Sequence, residues 1–465
     1  MNKSVALNFS GKKVLVMGLG IQGGGLEAVK FLWRNGVKIT VTDLRSRWVL
    51  KKSIRQLRKY RGIHYVLGGH RKSDFKITDF VLKNPGVPPH SLYLRYAKGL
   101  GIPILTDIGI FLRFCPAPVI GITGTRGKST AAYLIWKFLQ KRGLTRTKRE
   151  QTQNIQYKRV FLSGNIGKSP LGYLPLLKKN DLVVLELSSF QLEDLASEHK
   201  SPQIAVVTNI YRDHLNWHKN FREYIAAKRS IVRYQTPEDY AFVNSADLGV
   251  RKMTHGINSR IRSVKLPNKF RAIVDKNIGV HYRQIVALAV AVGTHLGVPL
   301  RRMLKILKGF RGLPGRQEKI GTIRGVHFIN DTTATIPDAT VAALRRFHAL
   351  KKPAERIILI AGGSDKKLDF SVLAKEILYK VDTLILLPGD ATEKLKKILL
   401  LEHNQATREI IIKEVKTMHD AVKSAYLSAK NRDWILLSPG AASFGLFLNE
   451  FDRGRQFVEE VKKMQ

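Results

Sequence analysis

The chain has 465 residues, 44% of them apolar, which is enough for about three domains that each bury a core. Its single cysteine, Cys115, excludes a disulfide framework within the chain, and its longest mildly apolar stretch, residues 285–293, is too short to cross a bilayer. The net charge of +44 favours anionic partners, either nucleic acid or nucleotide-bearing small molecules, but the scatter of the basic residues fits a bias of composition equally well.

The first nucleotide-type segment begins near the N-terminus. A run of apolar residues at 14–17 predicts a strand that leads into Gly18, Gly20 and Gly23, and a helix and a second strand ending at Asp43 follow. Glycines at this spacing let a diphosphate approach the start of the helix. The segment therefore predicts a site for UDP or NAD; the alternative is a tight turn without a ligand.

The second segment is a phosphate loop. The predicted strand 119–122 runs into TGTRGKST and then into a helix, although Ile122 stands where the commonest phosphate loops have their first glycine. A lysine in such a loop neutralises β- and γ-phosphates, and a hydroxyl can bind magnesium. The predicted ATP-binding residues of the loop are Gly124, Thr125, Arg126, Gly127, Lys128, Ser129 and Thr130.

Further strands and helices alternate along the rest of the chain. The predicted strands lie at 181–187, 203–210 and 383–389, and a third strand–glycine–helix segment lies at 356–370. This alternation predicts an α/β protein with parallel sheets covered by helices on both faces. The polar residues 145–158 predict a surface loop, and the Gly/Pro-rich residues 312–316 predict a linker.

An ordered series of motifs then connects these segments. After TGTRGKST come GNIG (164–167), LELSSFQLE (185–193), TNIYRDHLNWH (208–218), AAK (226–228), GLPGRQE (312–318), NDTTAT (330–335), LSPGAASF (437–444) and FDRG (451–454). This series resembles the Mur ligases, and among them most closely the members that add D-glutamate. The resemblance runs from about Lys13 to about Phe457 and rests on the order of the whole set.

The resemblance implies three domains. They are a Rossmann-like N-terminal domain at 1–107 that binds UDP, a central P-loop ATPase-type domain with a parallel sheet at 108–313 that binds ATP and magnesium, and a C-terminal Rossmann-like α/β domain at 314–465 that binds the amino acid. The implied activity is ATP-dependent addition of D-glutamate to UDP-N-acetylmuramoyl-L-alanine through an acyl phosphate, in peptidoglycan synthesis. A cytoplasmic monomer with ATP and two Mg²⁺ ions, and with neither a membrane nor a specific nucleic acid as partner, is expected.

Three alternatives remain open at this point. A ligase of the same superfamily that uses L-glutamate needs the same residue types. The charge of +44 leaves open a nucleic-acid-binding protein, although no known nucleic-acid module is visible. An NAD-dependent dehydrogenase accounts for the first glycine segment but leaves the phosphate loop unexplained.

The resemblance also assigns site residues. The catalytic residues are Lys128, Lys228, His214 and Asn165; Lys228 corresponds to a lysine that the family carbamylates. The magnesium ligands are Ser129, Glu186, His214 and Lys228. Arg316 and Asp331 join the phosphate loop at ATP. The residues at UDP are Gly18, Gly20, Gly23 and Asp43, and those at the amino acid are Thr335, Lys366, Ser443 and Phe451.

The sequence departs from the family pattern at seven positions, among them Glu450 and Phe451, which stand in the reverse of a frequent aromatic-acidic order. Asparagine is usual at Arg126, and the asparagines that meet adenine are usual at Tyr282 and Ile285. Ser-Lys is common where Thr332 and Thr333 stand. The sequence therefore does not predict how this chain holds adenine, and it predicts that one phosphate contact is missing.

Overall fold

A computed structural model describes residues 9–21, 23–140, 157–166, 169–196, 198–214, 217–403 and 409–464. The chain forms two compact units. One unit comprises residues 1–211, 222–266 and 284–303, and the other comprises residues 212–221, 267–283 and 304–465. Three sheets occur in the described ranges, two in the first unit and one in the second.

The first sheet is parallel throughout and has the strand order β3-β2-β1-β4-β5. Its strands are β1 (Lys13–Met17), β2 (Lys38–Asp43), β3 (His64–Leu67), β4 (Phe80–Lys83) and β5 (Ile104–Thr106). The helices of this region are α1 (Gly24–Arg34), α2 (Lys51–Leu57), α3 (Lys72–Lys76), α4 (Leu92–Gly99) and α5 (Asp107–Phe114). Side chains from both faces of β1 are buried, as expected for a parallel sheet covered by helices.

The second sheet is also parallel and has the order β11-β10-β9-β6-β8-β7. Its strands are β6 (Val119–Thr123), β7 (Val160–Gly164), β8 (Leu182–Glu186), β9 (Ile204–Val207), β10 (Tyr240–Val243) and β11 (Arg260–Ser263). The helices that follow in the chain are α6 (Lys128–Leu139), α7 (Ser189–Leu195), α8 (Phe221–Arg233), α9 (Leu248–Thr254), α10 (Asn268–Asn277), α11 (Arg283–His295) and α12 (Leu300–Gly309). Every residue of β6 and β8 is buried, so the two strands that lead to the predicted phosphate and metal residues are central to the core.

The third sheet has the order β12-β13-β17-β14-β15-β16, and its edge strand β12 runs antiparallel to β13. Its strands are β12 (Glu318–Ile323), β13 (Val326–Asn330), β14 (Ile357–Gly362), β15 (Thr383–Leu387), β16 (Ile411–Glu414) and β17 (Trp434–Leu437). Its helices are α13 (Pro337–Leu350), α14 (Ser371–Lys380), α15 (Asp390–His403), α16 (Met418–Ser428) and α17 (Glu450–Lys462). Successive β14 residues enter two separate cores, since Ile357 and Leu359 pack on one face and Ile358 and Ile360 on the other.

The predicted fold class is confirmed, with one antiparallel edge strand in the C-terminal sheet. The apolar runs at 119–122, 181–187 and 383–389 form β6, β8 and β15 to within two residues at each end. The boundaries 1–107, 108–313 and 314–465 stay a prediction. Of the predicted surface loop 145–158, only residues 157 and 158 lie within the described ranges. None of the helices in those ranges has the length and apolar character that a membrane-spanning helix needs.

Candidate functional site

The phosphate loop joins β6 to α6 and is shaped by its first glycine. Gly124 has a φ of 146°, and a Cβ atom there would lie 1.9 Å from the hydroxyl of Thr208, so no side chain fits. Asn209 holds the next two residues: its carbonyl accepts the N–H of Thr125 at 2.8 Å, and its side-chain oxygen accepts that of Arg126 at 2.8 Å. Since these two amides point to Asn209, the amides left to bind an anion are those of the first turn of α6, which lack helical partners by geometry.

Two lysine side chains converge on this loop. Lys128 donates to the carbonyls of Gly124 at 2.9 Å and Thr125 at 3.1 Å. Lys228, on α8, donates to the same Gly124 carbonyl at 3.0 Å and is only 1% exposed. Two ammonium groups on one oxygen repel each other, and an anion placed beside them relieves that repulsion. The arrangement therefore favours the binding of phosphate groups.

Glu186 lies at the carboxyl end of β8, next to the phosphate loop, because Ile122 of β6 pairs with it in register. It is 2% exposed, and Asn165 donates to its Oε1 atom at 3.2 Å. Its Oε2 atom is buried and has no hydrogen-bond partner among the described residues. A buried carboxylate oxygen without a partner is costly unless it binds something, and a cation fits that need.

The turn that carries Asn165 is fixed by Gly164. Gly164 has a φ of 94°, and a Cβ atom there would lie 2.1 Å from the carbonyl oxygen of Glu186. The Asn165 N–H donates to that same carbonyl at 2.9 Å. The predicted pair Asn165 and Glu186 is thus held by both main-chain and side-chain contacts.

The described residues fit magnesium only in part. No group of three or more His, Cys, Asp or Glu side chains in the described ranges is placed to hold a metal ion. Mg²⁺ often takes one or two protein ligands and completes its shell with water and nucleotide phosphates. Glu186 with its open Oε2 atom, and Ser129 at the start of α6, fit that kind of site.

Three residues that sequence reasoning did not single out brace this region. Tyr224 lies one helical turn before Lys228; its hydroxyl is 2.9 Å from that of Thr125, and its ring centre is 4.8 Å from the Lys228 ammonium. Thr208 and Asn209 hold the loop from β9. The spacing of four between Tyr224 and Lys228 could have predicted that the two side chains lie on the same face of a helix. The contacts of Thr208 and Asn209 depend on the order of the strands, which the sequence does not give.

In the second unit, the predicted amino-acid residues Lys366 and Thr335 lie together. The Lys366 ammonium is 3.3 Å from Oδ1 of Asp213 and 3.4 Å from the Thr335 hydroxyl, and Lys366 is 9% exposed. Asp213, which sequence reasoning missed, therefore supplies a negative charge to the predicted pocket lysine. His214 follows it, with its main-chain N–H bound to the same Oδ1 atom at 2.8 Å.

Left-handed backbone occurs at or next to three predicted site residues, His214, Arg316 and Lys366. His214 has a φ of 54°, Gln317 next to Arg316 has a φ of 51°, and Lys367 next to Lys366 has a φ of 59°. Residues with side chains rarely adopt this conformation, and where they do the strain is often found at functional sites. Three other described residues, His199, Arg324 and Arg432, share this conformation away from the predicted site residues, so the backbone is compatible with the predicted site and does not by itself identify it.

The predicted nucleotide residues of the second unit lie around the end of β13. Arg316 donates to the hydroxyl of Thr333 at 3.3 Å. Thr333, which stands where the family commonly has lysine, thus contacts the predicted nucleotide-binding arginine. Asp331 is 5% exposed, and its two carboxylate oxygens accept the Gln317 N–H at 3.1 Å and the Ser438 hydroxyl at 2.8 Å. Asp331 thus has a structural role in addition to the predicted contact with ribose.

Two predicted amino-acid residues differ in exposure. Ser443 is 4% exposed in the segment after β17. Phe451, in the first turn of α17, is 56% exposed and lies on the protein surface. A contact of Phe451 with the amino acid stays a prediction.

The glycine segment at β1 forms a surface hollow. The hollow is lined by Gly18, Gly24, Lys83, Asn84 and Asp107 among others. Gly20 and Asp43 lie beside it: the Asp43 carboxylate accepts the Gly20 N–H at 3.0 Å and is 2% exposed. Asp43 therefore fixes the glycine turn directly, and its contact with a ribose stays a prediction, as do the roles of Gly18, Gly20 and Gly23.

A buried charge cluster borders this hollow and was not predicted. The Lys83 ammonium lies 2.9 Å from the Asp194 carboxylate, and Lys83 is 3% exposed. Burial raises the pKa of Asp194 to about 6, although the attraction of Lys83 lowers it. Burial also raises the pKa of Asp107, against a hydrogen bond from Ser169 that lowers it. No sequence motif marks this cluster, because its members come from different elements.

Tyr282 and Ile285, which stand where the family usually has asparagines that meet adenine, have different surroundings. Ile285 is 6% exposed and packs against the phosphate loop, since a Cβ atom on Gly127 would lie 2.0 Å from its Cδ1 atom. It has no polar group to offer adenine. The Tyr282 ring centre lies 4.5 Å from that of His281, whose Nε2 atom is 3.3 Å from the side-chain nitrogen of Gln317.

Comparisons with known proteins cover nearly the whole chain. Residues 12–106 match the Mur ligase MurD-like N-terminal domain, residues 122–296 the Mur ligase middle domain, and residues 315–440 the Mur ligase glutamate ligase domain. The UDP-N-acetylmuramoylalanine–D-glutamate ligase of Roseiflexus sp. is 36% identical, over 98% of this chain and 99% of the relative. The ligase of the same name from Borreliella afzelii is 38% identical, over 96% of this chain and 97% of the relative.

Solved structures agree in fold. The UDP-N-acetylmuramate–alanine ligase of Thermotoga maritima has a TM-score of 0.62 at 18% identity, over 98% of this chain and 100% of that one. The Escherichia coli FolC protein has a TM-score of 0.53 at 19% identity, over 77% of this chain and 91% of that one. With the three domain matches and these relatives, the chain belongs to the Mur ligase family.

Proposed function

We propose that this chain is the ATP-dependent ligase that adds D-glutamate to UDP-N-acetylmuramoyl-L-alanine in peptidoglycan synthesis. The relatives that carry this activity in their names match it over nearly their full length. The observation that carries the proposal in the structure is the convergence of Lys128 and Lys228 on the Gly124 carbonyl beside the buried Glu186.

The first step brings two anions together. The terminal carboxylate of the acceptor attacks the γ-phosphorus of ATP, which forms an acyl phosphate and releases ADP. Lys128, Lys228 and the first turn of α6 offset the charge of the phosphates, so that the carboxylate can approach. Magnesium, held by Glu186 and Ser129 together with phosphate oxygens, would supply further positive charge at the γ-phosphate.

Lys228 contributes in one of two forms. As an ammonium it binds the Gly124 carbonyl and adds positive charge at the phosphates. As a carbamate it would be an anion able to act as a magnesium ligand. The carbamate, which would form from the Lys228 amine and CO2, stays a prediction from the resemblance to the family.

The second step needs the amine of glutamate at the acyl carbon. The amine attacks this carbon, the bond to the phosphate oxygen breaks, and inorganic phosphate leaves. Lys366 and Thr335 are suited to bind a carboxylate of glutamate, since an ammonium and a hydroxyl lie together there. Asp213 holds Lys366 before the substrate arrives, so that binding exchanges one carboxylate partner for another.

The remaining assignments complete the proposal. The hollow at Gly18 and Lys83 takes the UDP part of the acceptor, and Arg316 and Asp331 meet ATP. The domains are 1–107, 108–313 and 314–465. The enzyme acts as a monomer in the cytoplasm.

Phosphate release tests the proposal directly. The protein is incubated with ATP, magnesium and UDP-N-acetylmuramoyl-L-alanine, and with D-glutamate, L-glutamate or no amino acid. Release that depends on D-glutamate is expected. Release with L-glutamate alone would change the substrate and keep the mechanism, and the absence of release under every condition would contradict the proposal.

A further inference from the structure

A cationic surface with an exposed tryptophan follows β2. Residues 44–62 contain eight lysines and arginines and no aspartate or glutamate, whereas the whole chain has 80 basic and 36 acidic residues. The excess of basic over acidic residues in this segment is therefore larger than in the chain as a whole. We define the cationic surface by Arg47, Trp48, Val49, Lys51, Lys52 and Arg55.

The fold presents this surface outward. Leu50 and Leu57 are buried at 0% and 1% exposure and anchor the loop and α2 to the domain. The basic side chains of Lys51, Lys52 and Arg55 are exposed. The cations are thus held on a fixed scaffold.

Trp48 and Val49 lie among these cations and are exposed to water. Trp48 is 77% exposed and Val49 is 42% exposed. The Lys51 ammonium lies 5.0 Å from the Trp48 ring centre, so a charge and an aromatic ring form one surface. Exposed apolar side chains next to polar ones mark interaction sites, and tryptophan close to basic residues is typical of surfaces that lie in a membrane interface.

We propose that the cationic surface docks the protein on anionic phospholipid bilayers. Its positive charge complements lipid phosphates, and Trp48 and Val49 gain by leaving water at the headgroup boundary. Nucleic acid would satisfy the cations but offers Val49 no apolar environment. The proposal replaces the expectation from sequence that no membrane is a partner, and it is independent of the proposed reaction.

Co-sedimentation with vesicles tests the docking. The full chain is mixed with vesicles of phosphatidylcholine alone or of an equimolar mixture of phosphatidylcholine and phosphatidylglycerol. Binding to the mixed vesicles only, weakened by high salt, is expected. Lys51→Glu with Lys52→Glu should reduce the partition coefficient by about tenfold or more, because each basic residue near an anionic surface contributes roughly fivefold.

Trp48 gives a second measurement. Vesicles should shift the tryptophan emission to shorter wavelength, and Trp48→Phe should abolish the shift although four other tryptophans remain. The matched control is Lys416→Glu with Lys423→Glu, which changes the net charge equally at two exposed residues of the C-terminal domain. Phosphate release without vesicles should be the same in all these variants and shows that they fold.

Three outcomes would overturn the proposal. The first is no binding to the mixed vesicles at physiological salt. The second is an equal loss in the Lys416→Glu, Lys423→Glu control, which would mean that net charge alone drives binding. The third is binding to a random-sequence DNA duplex that depends on Lys51 and Lys52 while binding to vesicles does not, which would assign the surface to nucleic acid.

Discussion

At the scale of single residues, the candidate site depends on charges held close together before any substrate binds. Lys128 and Lys228 share the Gly124 carbonyl, and Lys366 is paired with Asp213. Both arrangements are costly alone: the first brings like charges together, and the second buries an ion pair. Anionic substrates would relieve the first and compete for Lys366 in the second.

Lys128→Ala should abolish turnover and leave the fold intact. The ammonium group contributes positive charge at the phosphates. Its hydrogen bonds to the carbonyls of Gly124 and Thr125 lie within the same loop, so their loss should not unfold the domain. Phosphate release measures turnover, and circular dichroism checks the fold. Lys137→Ala, later on the same helix, is the matched control and should retain activity. More than a few per cent of activity in Lys128→Ala would contradict the ATP-site assignment.

Lys366→Ala should raise the KM for D-glutamate strongly, because an ammonium–carboxylate bond contributes roughly 1.5–3 kcal/mol, or about 10- to 150-fold. The KM for ATP should change little. Steady-state phosphate release with each substrate varied in turn measures both. Lys367→Ala, at the neighbouring position, is the control, and an unchanged KM for D-glutamate in Lys366→Ala would remove the pocket assignment.

At the scale of elements, strand ends and glycine turns position the site. The sequence predicted β6, β8 and the phosphate loop, because buried parallel strands are continuous apolar runs and glycines stand where side chains do not fit. It could not predict that Asp213 meets Lys366, which is 153 residues away along the chain. Such contacts depend on how loops fold back, and no local pattern records this.

Gly164→Ala should destabilise the protein and lower activity. The left-handed backbone costs an alanine roughly 1–2 kcal/mol, and the contact with the Glu186 carbonyl adds to this. Displacement of Glu186 should also weaken the binding of magnesium, so that a higher magnesium concentration is needed for half-maximal activity. Urea unfolding and phosphate release at varied magnesium measure the two effects. Gly99→Ala at the last residue of α4, where a Cβ atom meets nothing within 4 Å, is the control and should change the unfolding free energy by less than about 1 kcal/mol.

At the scale of the whole molecule, the excess of positive charge shapes both stability and surface. Hydrogen bonds lower the pKa of several carboxyl groups: the main-chain N–H of Lys13 lowers that of Asp79, and the side chains of Arg159 and Lys463 lower those of Asp181 and Glu460. Each of these groups stabilises the folded state above its unfolded pKa and loses that contribution as the pH falls. Asp194 behaves in the opposite way, because burial outweighs the attraction of Lys83 and raises its pKa to about 6.

Asp194→Asn should therefore change how stability depends on pH. The folded pKa of about 6 lies above the ordinary value of 3.8, so the contribution of Asp194 is full below pH 3.8 and is lost as the pH rises through about 6. This loss is of order 3 kcal/mol at most. Urea unfolding at several pH values from about 4 to 7 should show the unfolding free energy rising more with pH in Asp194→Asn than in the wild type. A slope in Asp194→Asn equal to that of the wild type would show that burial of Asp194 does not control its protonation.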